Sequence, residues 1–172
     1  MGVLSRAVWT GLLCLALLPA CERAEAPPEQ PPAAAAPLME FDTARVWLVS
    51  AADSVPLRVE LAETPDQRAM GLMERASLPP DAGMLFTYGE DQPADAGFWM
   101  YRTRVPLDIA FLDAGGRIVA VRAMEPCTSP DPRWCPTYEP GVPYRAALEV
   151  NRGWLERHGV GVGDRVRLPG GT

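Results

Sequence analysis

Asp108 is the residue in this chain whose surroundings most demand a chemical explanation. It lies in Pro106-Leu107-Asp108-Ile109-Ala110-Phe111, where residues 107–112 are otherwise apolar. A carboxylate in a buried strand needs a counter-charge or hydrogen-bond donors, because an unpaired buried charge costs several kcal/mol. Arg68 and Arg75 are the expected partners, giving either a structural ion pair or a carboxylate that caps backbone N–H groups. The functional alternative is a cleft in which an arginine meets an anionic ligand and Trp99 supplies a stacking face. Arg68, Arg75, Trp99, Met100 and Asp108 then form one candidate ligand surface, although Trp99 taken alone reads as core before platform. A hydrolase would use Asp108 or Glu149 with arginine assistance. Pairing Asp108 with Asp113 is disfavoured, since five residues along a strand put the two on opposite faces.

Other chemistries find less support. His158 is the single histidine, lies in no nucleophile motif and has no evident metal partner. Structural zinc wants four Cys/His ligands, and no cofactor motif is visible. Met70, Met73, Met84, Met100 and Met124 could in principle offer thioethers to Cu(I), but no Met-x-Met spacing occurs and they read as core filler. All 16 basic residues are arginine. The absence of lysine excludes Schiff-base chemistry and lysine-dependent phosphate loops. The formal net charge of -6 lacks the basic patch expected of a nucleic-acid binder.

The cysteines point to an exported protein. Arg6 precedes an apolar stretch of about eleven residues (8–18), too short to span a hydrocarbon core, which takes about 20 helical residues. This reads as a signal peptide over residues 1–20. Leu18-Pro19-Ala20-Cys21 resembles the lipobox of bacterial lipoproteins, which implies that Cys21 carries lipid and is the first mature residue. Glu22 in the next position resembles outer-membrane lipoproteins, so the expected location is the periplasmic side of the outer membrane. Residues 22–37 are almost wholly Ala, Pro, Glu and Gln. Such a segment cannot bury enough surface to order itself, and as extended polyproline II it reaches roughly 50 Å as a tether. Cys14 would leave with the signal. Cys127 and Cys135 remain, in a compartment where disulfides persist. They close a nine-residue Pro-rich loop, worth about 2.5 kcal/mol as a disulfide; a redox pair is the rival reading, though redox cysteines are usually two residues apart at a helix start.

Residues 38–172 must position these groups, and their length suits one domain with one core. Strands are expected at 45–49, 55–61, 84–88, 98–101, 107–112, 117–123, 144–150 and 166–168. Asp113-Ala-Gly-Gly116 makes a hairpin of 107–123. Thr64-Pro65-Asp66-Gln67 has an N-cap hydroxyl, proline at N1 and Gln at N3, a capping box that starts a helix running to about residue 73. Asn151 is expected to cap a second helix at 152–158, stopped by Gly159. This pattern predicts a mainly β fold, an antiparallel sandwich or a partly open barrel with two short helices.

An ordered set of motifs runs through the same region: Arg68-Ala-Met-Gly-Leu-Met73 with Arg75, Gly83-Met-Leu-Phe86, Phe98-Trp-Met100, Pro106-Leu-Asp-Ile109, Phe111-Leu-Asp113, Met124-Glu-Pro-Cys127, Leu148-Glu-Val-Asn151 and Gly163-Asp164. From about residue 57 to 168 the chain resembles the DUF192 family of small prokaryotic domains. The resemblance implies a compact, mainly β domain and lends no reaction. Tyr101-Arg102 departs from it, since the family usually has Lys-Asn before the threonine. The expected function is a non-catalytic module, anchored to the membrane through lipid, that binds a small molecule, a glycan or an envelope protein.

Overall fold

The computed structural model describes residue 2 and residues 39–167. The stretches expected to be signal peptide (apart from residue 2) and tether, with Cys21, lie outside the described residues, and the fold below belongs to the unit Pro37–Thr172.

Among the described residues nine strands form in chain order: β1 Thr43–Val49, β2 Ser54–Ala62, β3 Ala82–Gln92, β4 Phe98–Trp99, β5 Leu107–Leu112, β6 Ile118–Met124, β7 Thr137–Tyr138, β8 Tyr144–Asn151 and β9 Arg165–Arg167. Seven build one sheet, ordered β6-β5-β8-β3-β2-β1-β9, and β4 pairs with β7 in a separate ribbon. All pairings in the large sheet are antiparallel except β2 with β3, which run parallel. The sheet curls until its two edges meet at one end. There the Ile118 N–H donates to the Asp164 carbonyl and the Val166 N–H to the Gly116 carbonyl. The partly open barrel is therefore the form that the expected mainly β fold takes.

The curl gives the sheet two differently covered faces. Inside lie Val46, Leu48, Leu57, Val59, Leu85, Ala110, Leu112, Leu148 and Val150, closed at one end by Trp154 and Leu155 of α2 (Trp154–Arg157). Outside, Met84, Phe86, Leu107, Ile109, Phe111 and Ala147 form a second core beneath the 62–105 segments and the β4–β7 ribbon. All six residues of β5 are buried, as an apolar run covered on both faces requires.

The expected capping box is present: Gln67 N–H donates to Thr64 Oγ1, and Gln67 Oε1 accepts from the Thr64 N–H. The helix α1 is shorter than expected, Pro65–Met70. It stops because Gly71 turns the chain at φ +49°, a conformation that a side chain would strain. The second cap is a correction. Asn151 ends β8, and its amide donates to the Leu78 and Pro79 carbonyls. Gly153 caps α2 instead, at φ +74°.

Candidate functional site

Two carboxylates are buried among the described residues, Asp108 and Glu149, and they have opposite fates. β5 and β8 pair with Asp108 opposite Val150 and Ile109 opposite Glu149. Because strand side chains alternate, Asp108 faces the barrel interior and α2, whereas Glu149 faces the outer core. A catalytic pairing of Asp108 with Glu149 thus cannot form. Asp113 sits in the β5–β6 turn, where its carboxylate accepts the Gly115 and Arg117 N–H groups.

The partner expected for Asp108 is also corrected. It is neither Arg68 nor Arg75 but Arg152, whose Nε lies 3.2 Å from Asp108 Oδ1. Asp108 Oδ2 accepts the Gly153 N–H at 2.7 Å. Burial pushes the Asp108 carboxyl above its ordinary range, against the opposing pull of the Gly153 N–H and Arg152. Arg152 also donates to the Leu107 and Met124 carbonyls and to Glu125. It clamps the ends of β5 and β6 to the start of α2, so Asp108 is explained by structure.

Arg75 pairs in a bidentate geometry with Glu60, both contacts 2.6 Å. Arg68 donates through one guanidinium nitrogen to the Glu63 and Thr87 carbonyls and lies 4.8 Å over the Tyr88 ring. Met100 is fully buried and therefore packs the core; it is withdrawn from the ligand surface. Trp99 is the opposite correction, 46% exposed where core was expected. Strand alternation explains both. Phe98 turns inward and packs edge-on against Phe86 (5.0 Å) and Phe111 (5.7 Å), which turns Trp99 outward beside Tyr101 (5.6 Å).

The five predicted site residues do not come together, but Arg68 and Trp99 do. They line a recess of about 30 Å³ with Ala69, Met70, Gly71, Leu72, Met73, Phe86, Phe98, Thr103 and Glu149. Glu149 is its buried end, 4% exposed. Its cross-strand neighbours are Met84 and Ile109, which offer no charge and no donor. Glu149 accordingly has no ion pair and no side-chain hydrogen bond among the described residues. Burial alone pushes its carboxyl up to about 8, so at neutral pH it is mainly the neutral acid. Gly83, opposite Val150, permits the close approach of β3 to β8 on the inner face, because a Cβ there would lie 2.5 Å from the Glu149 backbone carbonyl oxygen. Sequence reading named Glu149 only as a possible hydrolytic partner. The signal for more was its place in β8, where it shares the outer-facing alternation with Ala147.

The loop between Cys127 and Cys135 is closed by a disulfide, with Cα atoms 5.8 Å apart. Cys127 also bridges to Tyr101 and Thr103, tying that loop to the segment that carries Trp99. Arg102, one of the residues that departs from the family pattern, sits at φ +56°, a left-handed position that asparagine tolerates more readily.

Comparison with known proteins places the domain. The profile of the DUF192 family, described as an uncharacterized ACR, matches residues 48–168. A crystal structure of a candidate transcription regulator from Sinorhizobium meliloti is 35% identical, with TM-score 0.68, covering 75% of this chain and 95% of that one. A protein of unknown function from Novosphingobium aromaticivorans is 30% identical, with TM-score 0.61, covering 78% of this chain and 91% of that one. No curated protein is similar enough to match. From its profile match over most of its length, and from these two similar structures, the chain belongs to the DUF192 family.

Proposed function

We propose that this chain is an exported, lipid-anchored envelope protein whose β domain binds a small molecule, a glycan or an envelope partner through the recess between α1 and Trp99. One observation carries the reading: an exposed tryptophan and a buried acid without a partner share one recess. An unpaired buried carboxyl is a standing cost to the fold, and such groups cluster where a site uses them. A recess of about 30 Å³ has room for one functional group, since a water needs roughly 10–15 Å³. The rest of a ligand would lie across Trp99, whose exposed ring suits a sugar or an aromatic face. Lipid on Cys21 and the tether of residues 22–37 would hold this surface in the periplasm, up to roughly 50 Å from the outer membrane.

A second reading, a carboxylate-dependent hydrolase, is favoured by the Glu149 carboxyl alone, since an acid at about 8 suits general acid catalysis. Its weakness is the missing companion: besides Glu149 the recess lining holds no second carboxylate and no histidine, only Arg68, the Thr103 hydroxyl and the Trp99 indole N–H as polar side-chain groups. A regulatory role on nucleic acid, suggested by the description of the Sinorhizobium meliloti relative, is opposed by the net charge of -6.

The test is a thermal-shift screen of the full chain in detergent against small molecules and glycans, since binding to the folded state raises its stability. The expected result is a stabilising ligand whose effect is lost in Trp99→Ala. Ligands that stabilise Trp99→Ala and Glu149→Gln as well as the parent would place binding elsewhere and refute the proposal.

A further inference from the structure

The ligand group that fits this recess follows from what the recess lacks. Glu149 ends it, a residue 4% exposed whose carboxyl oxygens, not fully enclosed, form no ion pair or hydrogen bond with another side chain among the described residues. The charged and titratable groups around it are few. Arg68 on α1 lines the recess but spends one guanidinium nitrogen on the Glu63 and Thr87 carbonyls and stacks on Tyr88. Tyr88 on β3 is itself held protonated by burial. Ile109 of β5 and Met84 of β3 flank Glu149 without charge. From the 98–103 segment, Phe98, Trp99 and Thr103 line the recess and carry none. The remaining lining is rich in aromatic rings and thioethers, from Phe86, Phe98, Trp99, Met70 and Met73.

Aromatic side chains around one carboxylate stabilise a cationic nitrogen, through the ring quadrupoles and the counter-charge together. We propose that the recess is an ammonium-binding site, in which Glu149 at the buried end and Trp99 at the exposed rim accept the cationic amino group of a ligand. The inference rests on the binding function proposed above and names the ligand group it would recognise. The amino group could belong to a free amine, an amino sugar or a peptide; the shared chemistry is a compact ammonium. Its arrival converts Glu149 to carboxylate, releasing one proton to solvent, so the cation supplies the counter-charge that the fold omits. Binding must therefore strengthen as pH rises towards the Glu149 titration, by about tenfold per unit below it.

The experiment uses the full chain in detergent with ¹³C-methyl methionine, whose Met70 and Met73 signals report on the recess, with Met84 beside Glu149, while Met100 and Met124 serve as buried references. Methylammonium and neutral acetamide are the probes, at pH 6, 7 and 8. Methylammonium is expected to shift Met70 and Met73 saturably, more tightly at pH 8 than at pH 6. Glu149→Gln should weaken it at least tenfold, and Trp99→Ala, a change at an exposed position, should weaken it severalfold. Cooperative melting curves, unchanged for Trp99→Ala and no less stable than the parent for Glu149→Gln, would show that both variants remain folded. Absence of a saturable methylammonium shift, or a shift insensitive to Glu149→Gln, overturns the inference. Acetamide binding at the same methyls, lost above pH 8 and without a methylammonium response, would overturn the ammonium assignment while leaving the binding function standing. Amino sugars and short peptides, tested next against methylamine, would separate the sources of the amino group.

Discussion

Replacing Glu149 by glutamine should make the protein more stable, by an amount that depends on pH. The carboxyl is raised from 4.5 to about 8 by burial. The folded state therefore holds a proton that the unfolded chain has released, throughout the window from about pH 4.5 to 8. Where the native state binds more protons, stability falls as pH rises. The penalty is nearly absent below pH 4.5, grows through the window and is complete above pH 8. With about 1.4 kcal/mol per pH unit, the wild type loses about 1 kcal/mol by pH 5, about 3 by pH 7 and about 5 by pH 9. Glutamine matches the neutral acid in shape and does not titrate, so it should escape this loss. Urea melts of wild type and Glu149→Gln at pH 5, 7 and 9 measure the difference directly, from the midpoints at equal slopes. The curves should diverge with pH, with the variant more stable. Parallel pH profiles would refute the reasoning, because they would mean that Glu149 is solvated or paired in the folded protein.

Three further outcomes are expected. Asp108→Asn should cost only about 1–2 kcal/mol, because Arg152 keeps the Leu107 and Met124 carbonyls and Glu125; a loss above 4 kcal/mol in the same melts would show that Arg152 depends on Asp108 alone. Cys127→Ser should lower stability by about 2–3 kcal/mol with the fold unchanged. Mass spectrometry with and without reductant checks the bond, and two freely alkylated thiols in the native protein would count against it. Cys21→Ser should release the protein from the membrane or block its processing, and wild type that takes up no labelled fatty acid would sink the anchor.

Local order in this protein is written in short stretches of sequence. The Thr64–Gln67 capping box, the hairpins of β1–β2 and β5–β6 and the burial of all of β5 follow from residues within a few positions of one another. The disulfide is of this kind too, since Cys127 and Cys135 close a short loop with few other ways to settle. Trp99 was half legible. The alternation Phe98-Trp99-Met100-Tyr101 says that Trp99 and Met100 face opposite ways, but not which way is out; that waited on Phe98 finding Phe86 and Phe111. The carboxylates were the least legible, because a charge is satisfied by whatever is close in space. Asp108 found Arg152 only because β5 and β8 pair in a register that brings the start of α2 to it. The same register turns Glu149 to the opposite face, between Met84 and Ile109. Sequence alone could mark both acids as misplaced in apolar strands. Only the pairing of strands distant along the chain decided that Asp108 is paired and Glu149 is left to the recess.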